Sequence, residues 1–346
     1  MRAGGWIEPG EPHAEHAATK RRIRNLLDVS GLLDLLVPVG PRAATDEELL
    51  RFHTQAHIER ARAVSEAEGG EIGFDAFLGR GSEPIARLAA GGTIAATDAV
   101  VTGQVRTAYA LVRPCGHHAV AHEGKGFCTY NNVVLAAHHA RAVHGIERIA
   151  ILDWDVHHGN GAQDAFYDDP RVLTISVHQE GVFPPDSGGM EERGIGDGVG
   201  YNLNLPLPPG SGIGAYDAAF ERVVIPALDA FAPELLLIAS GFDAAAHDPM
   251  GRQQLNPGAF RAMTRRVAEV ADRHAGGRIV MTHEGGYHTG MTPFCGLAVL
   301  EELAGVRAPV DDPWEMPIAS MGWQELQPHQ GDVITRAADL VADIGR

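Results

Sequence analysis

Four short stretches of this chain gather side chains with chemistry to offer. They are Arg113-Pro114-Cys115-Gly116-His117-His118, Asp153-Trp154-Asp155-Val156-His157-His158-Gly159-Asn160-Gly161, Ser240-Gly241-Phe242-Asp243 and His283-Glu284-Gly285-Gly286-Tyr287. Residues two apart on an extended backbone face the same way, so Asp153, Asp155 and His157 can share one side. Carboxylate oxygen and imidazole nitrogen are zinc ligands, and a catalytic zinc takes three protein ligands and keeps a further position open. Asp155 and His157 supply two, and Asp243 is the natural third. A two-metal site would need further carboxylates two positions beyond His157 and two beyond Asp243. Gly159 and Ala245 stand there, so one metal ion per chain is expected.

The adjacent imidazoles of His117 and His118 suit a division of labour. One can act as a general base while the other stays cationic as an electrostatic partner. Each needs an orienting hydrogen bond on its other ring nitrogen, and Asp153 and Asn160 are the available partners. Tyr287 follows Gly285-Gly286, a pair that permits a tight turn and lets the phenol point inward. Its hydroxyl can donate to an oxyanion as a carbonyl becomes tetrahedral. Phe127 and Phe183 lie in loops containing glycine or proline, either as core plugs or as walls of a narrow tunnel for an alkyl chain.

These side chains need a scaffold. Runs 107–112, 148–153, 172–177, 235–239 and 278–282 are short, rich in Val, Ile and Leu, and mostly without alternation. That is the signature of strands covered on both faces. Helix-like segments lie between them, including Asn132–His144, 215–231, 257–275 and Thr292–Ala304. The first third is more helical, with 46–68 as one segment. Strand alternating with helix implies an α/β fold with a parallel sheet between helical layers, read as a single domain over 1–346. Ligands in such sheets bind at the carboxyl ends of strands, where the four polar stretches stand. Segment 70–83 is either a loop shaping the mouth of the site or a subunit contact in a homo-oligomer; both readings stay open.

Composition narrows the classes. No window of the 346 residues holds the run of about 18 apolar residues that a membrane helix needs, so no membrane partner is expected. Segment 1–10 has no charged region leading into an apolar stretch, so a secretory signal is not expected and a cytoplasmic location is the default. The formal net charge of −17 disfavours nucleic acid as a partner and favours a cationic substrate, such as a polyamine or a basic peptide. Cys115, Cys128 and Cys295 form neither a disulfide framework nor a Cys-x-x-Cys zinc site.

The strings Pro-Cys-Gly-His-His (114–118), Gly-Phe-Cys-x-Tyr-Asn-Asn (126–132), Asp-Trp-Asp-Val-His-His-Gly-Asn-Gly (153–161), Gly-Phe-Asp (241–243) and Glu-Gly-Gly-Tyr (284–287) resemble the histone deacetylase and acetylpolyamine amidohydrolase superfamily. Asn160 and Glu284 are similar to its class II branch, and the whole chain resembles bacterial class II histone-deacetylase-like amidohydrolases. The resemblance implies the arginase/deacetylase fold, a three-layer αβα sandwich around a central eight-stranded parallel sheet. It implies zinc on Asp155, His157 and Asp243, with His117, His118 and Tyr287 as catalytic residues. It also implies a tunnel walled by Phe127 and Phe183, with Gly126 and Gly286 among the substrate-binding positions. Potassium is implied near Asp153, Asp155, His157, Ser176 and Val177, and a second potassium near Phe166, Asp169, Val172 and Tyr201. In one departure, the family's Pro-Pro-Gly-His-His carries Cys115 in place of its second proline.

The implied reaction is metal-assisted hydrolysis of an N-acyl amine. Polyamine-specific relatives can carry a glutamate just after the Asp-Pro that follows the third ligand. Here Asp248-Pro249 leads to Met250, an apolar and adaptable rim residue that favours acyl-lysine or a small apolar acyl-amine. The net charge leans towards an acetylpolyamine. A non-catalytic zinc module that binds acylated ligands is the competing class, and the presence of every catalytic position disfavours it.

Overall fold

The computed structural model describes residues 13–344; segment 1–10, on which the expectation of no secretory signal rests, lies outside them. Eight strands are described: β1 (Gly69–Gly73), β2 (Ala76–Gly79), β3 (Thr107–Ala110), β4 (Ile149–Asp153), β5 (Val172–Gln179), β6 (Asn202–Leu207), β7 (Leu235–Ser240) and β8 (Ile279–His283). Six form one sheet in the order β3-β8-β7-β4-β5-β6, with every pair parallel.

The apolar runs explain this arrangement. Ile149 and Ile151 of β4, with Leu235 and Leu237 of β7, pack with Val133, Val134 and Ala137 of the helix Asn132–His144. The alternate residues Leu152, Leu236 and Ile238 pack with Tyr216, Phe220, Phe260 and Val267 of the helices on the other face. Both faces are therefore apolar and both are covered, which is the α/β three-layer αβα sandwich that the sequence implies.

The expectation of eight strands in that sheet is corrected. Among the described residues six belong to it, and β1 and β2 form a separate antiparallel pair. Ile72, Ala76 and Leu78 of the pair pack with Ile58 and Ala61 of the helix Gln55–Glu66, so its apolar face is committed to a helix. The sheet ends at short, atypical edges. β3 has four residues, and β6 contains Pro206, which lacks a ladder donor and suits an edge.

Two expected helices are broken for local reasons. Segment 46–68 divides into Asp46–Leu49 and Gln55–Glu66, each with its own threonine cap: Thr45 in a capping box with Glu48, and Thr54 accepting from the His57 N–H. Segment 215–231 contains a π-helical turn at Phe220–Val224, next to Pro226, whose missing N–H and ring disrupt the ladder.

The chain runs from β4 outward to β5 and β6, then returns to place β7 and β8 on the other side of β4. The connections leaving β4 and β7 thus diverge, and the crevice between them is the switch point where open α/β sheets bind ligands. Asp153 of β4 stands level with Ala239 of β7 and Ser176 of β5, so the segments after those strands start from one line. Among the described residues no helix is long and apolar enough to cross a membrane.

Phe260 is fully buried and meets Phe242 edge-on at 5.3 Å. Phe260→Ala should cost about 3–5 kcal/mol of stability in denaturant unfolding of the whole chain. A loss below about 1 kcal/mol would mean that this core can collapse around the void.

Candidate active site

The β4 end is folded around its own carboxylates. Asp153 Oδ1 accepts from the Asp155 N–H at 3.0 Å, and Asp155 Oδ1 accepts from the His157 N–H at 2.9 Å. These bonds curl the backbone after β4 into the crevice, where Asp243 arrives from β7. Asp243 Oδ1 accepts from the Val156 N–H at 2.8 Å, and Asp155 Oδ2 accepts from the Gly285 N–H at 2.8 Å. A β-carbon on Gly285 would stand 2.0 Å from Asp243 Oδ2, so only glycine lets this backbone approach so closely.

His157 Nδ1 lies 2.9 Å from Asp155 Oδ1 and 3.2 Å from Asp243 Oδ2. All three residues are buried, and their ligand atoms lie within 4.8 Å of one another. Asp243 Oδ2 has no hydrogen-bond partner. A buried carboxylate oxygen is costly without one. Two carboxylates, one imidazole and an orphan oxygen aimed at the same point fit a divalent cation of the zinc type.

Beside this trio, the rings of His117 and His118 lie 3.9 Å apart. His117 Nδ1–H donates to Asp153 Oδ2 at 2.8 Å. Asn160 Nδ2–H donates to the His118 carbonyl at 3.0 Å, which turns its Oδ1 towards His118 Nδ1 at 2.8 Å. His118 Nδ1 therefore carries the proton, and its Nε2 keeps a lone pair. Burial works against charge on His117, but Asp153 and Asp155 outweigh it and hold that ring well above the usual histidine range. Burial, reinforced by His117 and His157, pushes His118 well below it. The surroundings thus favour charge on His117 and disfavour it on His118.

Gly286 has φ +116°, and the turn it makes carries Tyr287 into the site. Burial, followed by the nearby Cys115, raises the phenol well above its ordinary value, so the hydroxyl keeps its proton to donate. Phe127 and Tyr287 have ring centroids 6.3 Å apart, and Phe183 lies 4.7 Å from His118. A β-carbon on Gly126 would meet both His118 and Phe183. Gly126, Phe127, Phe183, Tyr287 and the histidines therefore enclose one space.

Several contributors have a structural part that the sequence did not assign. Glu284 is buried, and its Oε2 accepts from Gly116 N–H at 2.6 Å and His117 N–H at 3.1 Å. It pins the histidine loop to the end of β8, and burial pushes its carboxyl up to about 7. Asp248 Oδ2 accepts from the Tyr287 and His288 N–H groups, and its Oδ1 accepts from Met250 N–H. Met250 is half-buried and is tied through Asp248 to the tyrosine turn. Phe74, at the tip between β1 and β2, stacks on Phe183 at 5.9 Å. Its carbonyl accepts from Gly126 N–H and that of Asp75 accepts from Phe127 N–H, so segment 70–83 does reach this space. The available signal was an acid immediately after a buried strand for Glu284, and Asp-Pro after a ligand for Asp248.

The other expected positions divide. Ser176 Oγ accepts from Gly159 N–H at 3.2 Å, beside Asp153, and Val177 follows it on β5. Phe166, Asp169 and Val172 lie at the opposite, amino end of β5, joined through backbone bonds, and Tyr201 accepts from Thr174 N–H there. The Asp169 carboxylate is committed to Arg141 and Arg171. The structure does not bring this second set to the catalytic edge.

The comparisons agree with this geometry. The histone deacetylase domain model matches residues 13–303. The chain belongs to the histone deacetylase family. It is 53% identical over 312 residues to a histone deacetylase-like amidohydrolase of Pseudomonas aeruginosa, covering 90% of this chain and 82% of that protein. A probable deacetylase of Archaeoglobus fulgidus is 39% identical over 271 residues, 78% of this chain and 75% of that protein. The crystal structure of the HDA15 HD domain superposes with a TM-score of 0.88 at 31% identity, covering 99% of this chain and 91% of that one.

Within this histone deacetylase fold, the Asp153 carboxylate is the main support for a cationic His117. Asp153→Asn should move the His117 titration to lower pH in histidine NMR. An unmoved His117 resonance would assign that support to Asp155 or Glu284 instead.

Proposed function

We propose that this chain is a zinc-dependent deacylase of N-acyl amines, acting on acyl-lysine or a small apolar acyl-amine. The observation that carries the reading is the orphan Asp243 Oδ2, held with His157 Nδ1 and Asp155 beside a histidine pair oriented by an acid on one ring and an amide on the other. Zinc on Asp155, His157 and Asp243 would supply Lewis acidity towards the acyl carbonyl and acidify a water molecule.

The chain's own groups do the rest. His118 Nε2 takes the proton of the attacking water, since its Nδ1 is occupied by Asn160. The Tyr287 hydroxyl donates to the acyl oxygen as negative charge gathers there. His117, held cationic by Asp153, offsets that charge, and a protonated imidazole of the pair gives its proton to the departing amine. Phe127 and Phe183 hold the alkyl stem and exclude water, with Gly126 packed between Phe183 and His118. Gly286 shapes the turn that carries Tyr287.

Met250 at the rim supports the acyl-lysine reading, while the charge of −17 keeps acetylpolyamines as the second reading. Potassium beside Asp153 and Ser176 would offset the buried acids, and the set of Phe166, Asp169, Val172 and Tyr201 is a second, weaker position. We further read residues 1–346 as one catalytic domain working in the cytoplasm without nucleic acid.

Tyr287→Phe should lower kcat by roughly 10²–10³-fold with an unchanged unfolding midpoint; full kcat would remove the phenol from the reaction. Metal analysis after zinc loading and desalting should find one tightly held ion per chain, abolished in Asp243→Ala. Two ions, both lost in that variant, would instead favour a binuclear site. Acetyl-, trifluoroacetyl- and longer acyl-lysine peptides should be turned over in preference to acetylputrescine and acetylspermidine. The reverse preference would keep the chemistry and overturn the substrate class.

A further inference from the structure

Two thiols sit behind the tunnel wall, and the mechanism uses neither. Cys115 precedes Gly116-His117-His118, and Cys128 follows Gly126-Phe127. They belong to different loops, yet their Sγ atoms are 3.4 Å apart. Both are buried and pack with Ala119 under the half-buried Phe127 ring. Cys128 Sγ is also 3.5 Å from the Gly126 carbonyl. The third cysteine, Cys295, packs in the main core on another element.

We propose that Cys115 and Cys128 are a site of oxidative modification, a dithiol that closes to a disulfide under hydroperoxide and thereby lowers turnover. Hydroperoxide is small, and the half-buried Phe127 ring is the cover it must pass to meet the pair. The Cys115 sulfur attacks one peroxide oxygen, the O–O bond breaks, and a sulfenic acid and one water result. The Cys128 sulfur then attacks the Cys115 sulfur, the S–O bond breaks, and the second water leaves with the Cys128 proton. Two thiols lose two electrons and one peroxide gains them.

The consequence follows from distance. A disulfide bond is about 2.05 Å long, so closure from 3.4 Å moves the two sulfurs together by more than about 1 Å and pulls on the loops that carry them. One loop carries the base and its cationic neighbour, and the other carries Gly126 and Phe127. A misplacement of about 1 Å at reacting groups costs on the order of 10²-fold in rate. The ligand trio contains no sulfur, so peroxide has no thiolate to strip from the metal. The loss of turnover, but not the cross-link, rests on the deacylase reading above.

The test treats the zinc-loaded full chain with hydrogen peroxide, alkylates the remaining thiols, maps the peptides by mass spectrometry and follows deacylation in parallel. The expected result is a Cys115–Cys128 linked peptide two hydrogens lighter, Cys295 still alkylated, and activity reduced roughly 10²-fold and restored by dithiothreitol. Cys115→Ser and Cys128→Ser should each retain activity and resist peroxide; either variant suffices if the other fails to fold. Inactivation with no linked peptide, equal sensitivity in the serine variants, or a cross-link that leaves turnover unchanged would overturn the proposal. A chain that deacylates nothing before oxidation would sink the functional reading, and the peptide map would still decide whether the dithiol closes.

Discussion

Repulsion among buried carboxylates is the constraint on which the rest of this structure depends. Asp153, Asp155 and Asp243 meet in the crevice between β4 and β7, all of them out of contact with solvent. Burying each charge costs several kcal/mol unless partners are close and well placed. The fold answers with backbone N–H groups of residues 155, 156, 157 and 285 and with the rings of His117 and His157. Those donors come from three separate strand ends. They coincide only because the parallel register sets Asp153 level with Ala239, and Ala239 level with Thr282. Well-packed apolar residues would often stabilise such an interior better, so the acids are kept for what they can hold.

The work is divided between sheet and loops. Strand ends supply the polar floor, where small displacements matter most. The apolar walls come from excursions that need bracing from elsewhere. Phe127 adopts φ +69° directly after Gly126 at +50°, a backbone region that a bulky residue seldom occupies. The β1–β2 tip holds it there through the Phe74 and Asp75 carbonyls, and Phe74 itself stacks on the opposite wall. The hairpin that fails to join the main sheet thus braces the Gly126-Phe127 loop.

The polar floor was readable because its residues follow apolar strands directly, so period and position pointed to one edge. The trio of Asp155, His157 and Asp243, and Asp153 and Asn160 as partners of the histidine pair, needed nothing more than that; which partner meets which ring is seen only in the structure. The strand count was not readable. Whether an extended segment joins a sheet depends on which surface takes its apolar face, and Ile72, Ala76 and Leu78 go to a helix. The break in 46–68 was written in Thr45 and Thr54, but a hydrophobic period blurs caps that lie within it. The bracing roles of Glu284 and Asp248 were hidden for another reason. Their partners are backbone N–H groups far along the chain, and backbone groups leave no mark in a sequence.

The histidine pair shows why an acid and an amide are not interchangeable here. Two imidazolium rings 3.9 Å apart in a buried site would repel strongly, so the pair holds one charge at a time. A partner on each Nδ1 could orient both rings equally well if both partners were acids or both amides, but it would not choose between them. Asp153 supplies negative charge to one ring and Asn160 supplies only a dipole to the other. That difference places the proton on His117 and leaves the lone pair on His118. Both partners belong to the same excursion from β4 that presents Asp155 and His157. A single stretch, closed by its own Asp-to-backbone bonds, therefore sets the placing of Asp155 and His157 and the surroundings of the pair together.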